Sequence, residues 1–544
     1  MACDGKRVDS IAVVATAPTV SGLRRISVIS TVVNGFHVTT RDEVIRRFLL
    51  LTEGDICTEV RRAESERILR AQSVLAEASI TVRPSPKGGV VLDVRTTDEA
   101  AILVTGSIVG KFPPLRALTL GNSNFDGTTT YIAASWRDGE GYRDGFGGRV
   151  QHQQLFGHPY AMDLEAERRP LGDRWFAEAS HPFYTDLQRL AWRLRSGSSI
   201  DYVAFPTDSG LDRGVRLDRR FVDLGGLVRI GPPGRLTLLG ASLSGDEDTP
   251  ATASVIIGPT GLSNDSDSTL RNRYAGHRIA RANMLWGVRD IAFERQAGLD
   301  ALTGTQDVPT GFQLGTMFGR SLSVLGSRDN DIFLAGDLYV GAASDRSTFR
   351  LQIQGEGRRS NDRGAWDGIL TSGRAAQYIR ASDRNTLSGS LEWSSGWKQR
   401  IPFNLSFADP IAGVRGFANS RWVGGQRIVA RVENRWVVGP LTTLGDMGLA
   451  AFADAGKLLP GDVPFGSRSP LATSIGLSVL AAAPRHSARL WRMDVALAVH
   501  GNTARRHLEI RFTGADNTKF FFREPSDVQR TRELTVPSSV FKWP

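Results

Sequence analysis

Beyond residue 100 the chain is built from short stretches in which apolar and polar residues alternate. Phe349, Leu351 and Ile353 are interleaved with Arg350, Gln352, Gln354 and Glu356, the two-residue period that sends successive side chains to opposite faces of a strand. Leu190, Trp192 and Leu194 alternate in the same way with Arg189, Arg193 and Arg195, and Leu387, Leu391 and Trp393 with Ser388, Ser390, Glu392 and Ser394. Trp491, Met493, Val495, Leu497 and Val499 oppose Arg492, Asp494 and His500, while Leu508, Ile510 and Phe512 oppose His507, Glu509 and Arg511. One face is apolar and the other heavily charged. A soluble sandwich packs the apolar face on a second sheet, whereas a membrane barrel turns it to lipid and the charged face to a wet lumen. About 445 residues follow Glu99 without a helical or linker-rich break, and an open sheet of that size would carry long exposed edges. One large closed antiparallel sheet over residues 100–514 is therefore expected. Trp136, Trp175, Trp393 and Trp436 near strand ends suit interfacial girdles.

Residues 1–99 follow another pattern. Val8–Thr16 reads as a β-branched first strand. Thr40-Arg41-Asp42-Glu43 has the form of a capping box before Val44, Ile45, Phe48 and Leu49, which predicts a helix ending near Gly54. A second helix is predicted over Glu59–Glu77, burying Ala63, Ile68, Ala71 and Leu75. Strands Ile80–Arg83 and Val90–Thr96 follow, joined by the turn Pro84–Gly89. The result is a small α/β domain of order β-α-α-β-β. Cys3 precedes its first strand and Cys57 lies between its helices; they are a candidate disulfide in an oxidising compartment and otherwise two free thiols.

Composition narrows the function classes. A chain of 544 residues suits a small domain plus a large one, and 58 glycines suit many turns and close strand contacts. No run of 18 apolar residues occurs, so transmembrane helices are excluded and transmembrane strands are not. The net charge of +10 rests on 60 Arg against 7 Lys, and the planar guanidinium fork suits a lumen where one side chain meets several carboxylates or carbonyls. A soluble basic β protein binding nucleic acid is disfavoured, because the charge is spread over separate strands without interleaved aromatics. There is no GxSxG, GxxxxGK[ST] or HExxH motif, and the eight histidines lack ligand spacing. The acidic runs Asp246–Asp248 and Asn264–Asp267 lack the frame of a calcium loop. No enzyme activity, cofactor or metal is expected. The first 25 residues lack the basic stretch and apolar run of an export signal.

The sharpest signal is Ile411-Ala412-Gly413-Val414-Arg415-Gly416-Phe417, then a strand over Arg427–Val438, then Phe452-Ala453-Asp454-Ala455-Gly456. Here the chain resembles the outer-membrane barrel-assembly (BamA/TamA, bacterial surface antigen) family. That family carries a VRGF/Y motif on an extracellular loop folded back into the lumen and an FxDxG motif on the next strand. Val414, Arg415, Gly416 and Phe417 match the first, and Phe452, Asp454 and Gly456 the second; the resemblance implies that Asp454 grips Arg415. Alternation independently places Phe452 and Asp454 on one face, and an arginine offers a carboxylate a bidentate fork.

Residues 1–99 resemble one POTRA domain, the family's periplasmic module, while Gly121–Gly127 and His181-Pro182-Phe183-Tyr184 resemble recurrent barrel segments. The resemblance implies an N-terminal POTRA domain and a sixteen-stranded transmembrane β-barrel in the bacterial outer membrane, at about 28 residues per strand and connection. It also implies a lateral seam that inserts or exports unfolded β-rich client polypeptides, with outer-membrane lipids around the barrel. A periplasmic or inner-membrane accessory protein would meet the POTRA domain. A dedicated partner-secretion pore and a passive structural barrel are the alternatives. The chain departs from the family in having one POTRA-like domain and a C-terminal extension over 515–544, including Phe520-Phe521-Phe522, beyond the expected last strand at Phe512.

Overall fold

The computed structural model describes residues 3–18, 38–108, 115–207, 210–441, 445–501, 508–514 and 523–537. The N-terminal domain comprises β1 (Asp4–Thr16), α1 (Asp42–Arg47), β2 (Ile56–Thr58), α2 (Glu59–Ala71), β3 (Leu75–Pro84) and β4 (Val90–Asp98). Its sheet has the order β2-β1-β4-β3, with β1 parallel to β4 and Ile11 opposite Leu92. Val8, Ile45, Leu69, Leu75, Val90 and Val94 are buried in one core under both helices.

Both helices are shorter than predicted, and a short strand separates them. The capping box does not form. The Thr40 hydroxyl donates instead to Asp98 Oδ1 at 2.9 Å and its N–H to Oδ2 at 2.7 Å, so Arg41 is the N-cap without a side-chain cap and α1 ends at Arg47 rather than near Gly54. Ile56–Thr58 then pairs with β1, Ile56 facing Arg7. Thr58 caps α2 by accepting from the Arg61 N–H. α2 stops at Ala71 instead of Glu77 because Leu75 already opens β3, which pairs with β4. Ala71 is consequently exposed, and Leu69 takes the buried place beside Ile68.

Cys3 and Cys57 form a disulfide, Cα–Cα 5.1 Å, linking the start of β1 to β2 across 54 residues.

The remaining chain forms a closed antiparallel barrel. Its first wall strands are β5 (Ile102–Ile108), β6 (Leu115–Phe125), β7 (Thr130–Arg137), β8 (Gly145–His152), β9 (Ala161–Arg169) and β10 (Gly172–His181). Longer ones follow: β11 (Leu190–Pro206), β12 (Asp212–Ile230) and β13 (Arg235–Pro250), then a hairpin of β14 (Val255–Ile257) and β15 (Leu262–Asn264). The wall continues through β16 (His277–Ala297), β17 (Thr305–Ser321), β18 (Asp331–Ala343), β19 (Ser347–Ser360), β20 (Ala365–Ser382) and β21 (Asn385–Trp397). β22 (Leu405–Ser406) and β23 (Val423–Gly424) pair with each other inside the next connection. β24 (Gln426–Leu441), β25 (Gly445–Leu459), β26 (Ala472–Ala482), β27 (Trp491–His500) and β28 (Leu508–Thr513) complete the ring.

Without the hairpin and the β22–β23 pair, twenty strands make the wall among the described residues, not the sixteen expected. The even division into 28-residue units fails at the start, where β5 to β10 have 7 to 11 residues each and short connections. The wall strands that close the ring, β28 with six residues and β5 with seven, are the shortest among the described residues.

Faces follow the alternation. On β24, Arg427, Val429 and Glu433 are buried while Ile428, Val432 and Trp436 are exposed. On β28, Leu508, Ile510 and Phe512 are exposed. A closed wall with an apolar exterior and charged interior fits lipid outside and polar groups inside. Trp175 and Trp436 are exposed near strand ends, joined by Trp366 and Trp397, whereas Trp136 and Trp393 are half-buried.

The N-terminal domain sits against the turns at one end of the barrel, the domain end. Asn124 Nδ2 donates to Thr40 Oγ1, Gln154 Nε2 to the Val44 carbonyl, and Arg489 to the carbonyls of Ser73 and Ala100. Arg70 forks onto Asp307 at 2.8 and 2.9 Å. Tyr184 packs on the domain core, edge-on to Phe48 at 6.2 Å. Both resemblance segments thus lie at the docking surface: Gly121–Gly127 supplies Asn124 and Asp126, an ion-pair partner of Arg41, and His181–Tyr184 supplies Tyr184.

Two outcomes follow. Cys57→Ala, by releasing a 54-residue cross-link, is expected to cost the domain about 2–4 kcal/mol, read by pulse proteolysis of the full chain against wild type with and without reductant. Burial raises the Asp98 carboxyl from 3.8 to about 6. The folded domain therefore holds a proton that the unfolded chain has lost between about pH 4 and 6, and this group's contribution to stability falls as pH rises through that window. Asp98→Asn should flatten that segment of the pH–stability curve; an unchanged slope would refute the assignment.

Candidate functional site

The connection Lys398–Gly425 between β21 and β24 lies at the end of the barrel away from the domain, and it turns back into the lumen. Local bonds shape it: Asp409 accepts from the N–H groups of Ile411 and Ala412 at 2.9 and 2.8 Å, and the Val414 N–H donates to the Phe407 carbonyl. These turns present Val414 to Phe417 to the wall. Arg415 Nε donates to Asp454 Oδ2 at 2.8 Å and Nη2 to Oδ1 at 2.6 Å, a bidentate fork. The Arg415 N–H reaches the same carboxylate at 3.3 Å. Phe452, two residues before Asp454 and so on the same lumenal face of β25, lies under the guanidinium with its ring centroid 3.5 Å from Cζ.

The glycines of the motifs have steric reasons. Gly416 has φ of +89°, a region that side chains disfavour. A Cβ on Gly456 would lie 2.5 Å from Val414 Cγ2 and 2.9 Å from Phe407 Cε1, so the wall must be bare where the loop touches it. Phe417 and Val414 are buried in one cluster with Phe403, Phe407, Val429 and Leu458.

All seven motif residues anticipated from the sequence, Val414 to Phe417 with Phe452, Asp454 and Gly456, are brought together. Three contributors were not anticipated. Glu433 of β24 is a second carboxylate for Arg415, at 3.3 Å, and is held by Arg492 of β27 at 2.6 and 2.9 Å. Arg431 donates to the Gly413 carbonyl at 2.7 Å. Alternation set Arg492 on a polar face, and the same period along 427–435 was the available signal for Arg431 and Glu433; their partners lie on other elements. Phe520–Phe522 lie outside the described residues.

No protein-family model matches the chain, and none of the curated proteins does. Among solved structures, it is similar to BamA from Haemophilus ducreyi lacking POTRA domains 1–3, at 10% identity and TM-score 0.39, over 94% of this chain and 84% of that one. It is also similar to CdiB from Escherichia coli (12%, TM-score 0.45, 94% and 76%) and CdiB from Acinetobacter baumannii (11%, TM-score 0.40, 92% and 71%). The fold it shows is its own closed barrel with an N-terminal α/β domain.

Arg415→Ala strands Asp454 as a buried carboxylate, while Glu433 keeps Arg492, and is expected to cost about 3–5 kcal/mol of loop attachment. Arg415→Lys should not restore the attachment, because an ammonium cannot fork onto Asp454. In Arg415→Ala/Asp454→Ala the loss should fall below the sum of the singles. Protease cleavage within 398–425 of the membrane-inserted protein measures all three; equal resistance in wild type and Arg415→Ala would sink the role.

Proposed function

We propose that this protein is a bacterial outer-membrane barrel, with its N-terminal domain in the periplasm, that inserts or exports polypeptides through a barrel with a lateral seam. The observation that supports this best is the mechanical link from the clamped loop to the closing strands. The loop is fixed to β25 by Arg415 and Asp454, and it also bonds β28: the Ala418 N–H donates to Glu509 Oε2 at 3.1 Å and Arg511 Nη1 to the Pro410 carbonyl at 3.4 Å. Its Gly416 lies close against Ala498 of β27. The loop thus touches β27 and β28 on one side of the seam.

The seam is a short stretch of pairing. With net contributions near 1 kcal/mol per hydrogen bond, parting β28 from β5 costs far less than parting β11 from β12, which stay in register over seventeen residue pairs. A client strand that adds to the parted edge regains those bonds through its own backbone. The chemistry is templating by exposed N–H and C=O groups, and the proposed activity uses no nucleophile, metal or cofactor. In the N-terminal domain β3 is the longer of the two edge strands of its sheet, a second place where a client or an accessory protein adds by the same pairing. A partner-secretion pore is the second reading, favoured by the polypeptide-lined lumen described below.

A photo-crosslinking residue in place of Val104 on β5 or Ile510 on β28, both exposed, should capture nascent outer-membrane polypeptides in cells. The same probe in place of exposed Met284 on β16, far from the seam, should not. Equal capture at all three sites, or none at the seam in a protein that shows heat-modifiable migration, would defeat the seam mechanism.

A further inference from the structure

The segment 523–537 follows the last wall strand and lies inside the barrel. It includes α3 (Ser526–Thr531), and Asp527, Val528, Arg532, Glu533 and Thr535 are buried. Its contacts cross the lumen. Asp527 pairs with Arg427 of β24, Arg532 with Glu356 of β19, and Glu533 with Arg358 of β19 and Arg281 of β16. Thr535 Oγ1 donates to Asp246 of β13 at 2.7 Å, and Arg219 of β12 with Arg193 and Arg195 of β11 complete the path. β24 and β11 are nine steps apart in a ring of twenty strands, so the segment joins nearly opposite walls.

Two kinds of recognition operate along this path. Glu533, the carboxylate that Arg281 and Arg358 grip from two walls, is read as a side chain. The arginines of β11 and β12 instead read main chain. Arg219 Nη1 donates to the Arg530 carbonyl at 2.7 Å and Nη2 to the Arg532 carbonyl at 3.2 Å. Arg193 Nη2 donates to the Thr535 carbonyl at 3.1 Å and Arg195 Nη1 to the Leu534 carbonyl at 3.3 Å. Wall carboxylates aim two of these arginines: Asp248 holds Arg219 at 2.8 Å, and Asp223 holds Arg193 at 2.6 Å. The guanidinium groups stand preorganised by the wall, with further N–H groups turned to passing carbonyls. Apolar contacts seat both ends: Val528 packs in the Phe407–Phe417 cluster of the folded-back loop, and Val536 against Leu227, Leu238 and Phe333 of the wall.

We propose that the lumen is a polypeptide-binding site and that residues 523–537 occupy it in cis as a plug, which a transiting polypeptide must displace. The chemical class of ligand is an extended or loosely helical peptide, held by its carbonyls and by two carboxylate side chains, one between Arg281 and Arg358 and one on Arg427. This rests on the reading of the barrel as a polypeptide-handling pore. The plug also touches the clamped loop, since the Asp527 N–H donates to Asp409 Oδ2 at 3.1 Å and Asp527 accepts from the Ser406 N–H at 3.3 Å. Displacement would therefore be felt at the clamp.

The test is conductance of the full chain in planar lipid bilayers. Glu533→Arg places a third cation between Arg281 and Arg358, and open-pore current should rise at least tenfold over wild type. A synthetic peptide of residues 523–537 should return it toward the wild-type level, whereas the same peptide with its Asp527 and Glu533 positions changed to Lys should not. Should Glu533→Arg fail to fold, judged by heat-modifiable migration, the full-length pair Asp246→Cys/Thr535→Cys decides. Current should stay low when that pair is oxidised and rise on reduction when urea at a sub-denaturing concentration loosens the plug. Wild-type current in folded Glu533→Arg, no block by the peptide, or no effect of reducing the locked pair would each overturn the proposal. Peptide block without client capture at the seam would keep the plug and remove the assembly reading; capture at the seam without any effect on current would do the reverse.

Discussion

Closure of the sheet is the constraint on which everything else depends. A sheet of this size with free edges would present long rows of unpaired N–H and C=O groups, and bending it into a ring removes them. Closure then divides the side chains by parity. Apolar residues such as Ile428, Val432 and Ile510 turn out, and charged ones such as Arg427 and Glu433 turn inward and are buried. Carboxylates and guanidinium groups there must find one another. Arginine dominates because a single guanidinium can fork onto a carboxylate and still donate to a carbonyl, as Arg219 does with Asp248 and the carbonyls of Arg530 and Arg532. Buried pairs of this kind add little net stability over apolar packing, yet they penalise every arrangement that separates them. They act as registration pins, fixing where the loop and the C-terminal segment rest.

How much of this was legible in the sequence depends on the range over which each feature is determined. Alternation is local, and it identified the faces of β11, β19, β21, β27 and β28 from neighbours two residues apart. The Arg415–Asp454 contact was legible because both partners sit in motifs whose spacing carries a resemblance, with alternation placing Phe452 beside Asp454. The helix start at Thr40 misled because its cue is also local, while the winning interaction is not: Thr40 satisfies Asp98, 58 residues away, and the barrel's Asn124 bonds the same hydroxyl. The strand count failed for a related reason. Length fixes how much wall the chain can build, but the distribution of that length between long strands at β12 or β16 and short ones at β5 to β10 depends on what the barrel must meet at each sector. The short strands β6, β8 and β10 all lead into turns that carry contacts to the N-terminal domain.

The C-terminal segment shows the limit most clearly. Nothing within 523–537 is strongly periodic, and its own composition, Arg-Glu-Pro-Ser-Asp then Arg-Glu-Leu-Thr-Val, reads as a solvated tail. Its order comes from partners 100 to 342 residues distant, between Arg427–Asp527 and Arg193–Thr535. A charged tail is legible as a lumenal element only when the complementary charges are known to face inward on a closed wall, which is a property of the whole ring.

These dependencies make the interior a single mechanical unit. Asp454 holds the loop through Arg415, the loop bonds the last strand through Ala418 and Pro410, and the C-terminal segment bonds the same loop through Asp409 and Ser406. The interior therefore links three elements that could otherwise move independently: the loop folded in at the far end, the last wall strand, and the segment that crosses the lumen. The Arg415–Asp454 and Asp527–Asp409 links join buried groups, so releasing either leaves a buried neighbour unsatisfied and a partly released state is costly there, whereas the two bonds to the last strand are exposed and part more readily. A system with costly intermediates moves between discrete arrangements. In this barrel the C-terminal segment carries the widest set of such links, since Glu533 and Asp527 between them hold Arg281, Arg358 and Arg427 on three strands.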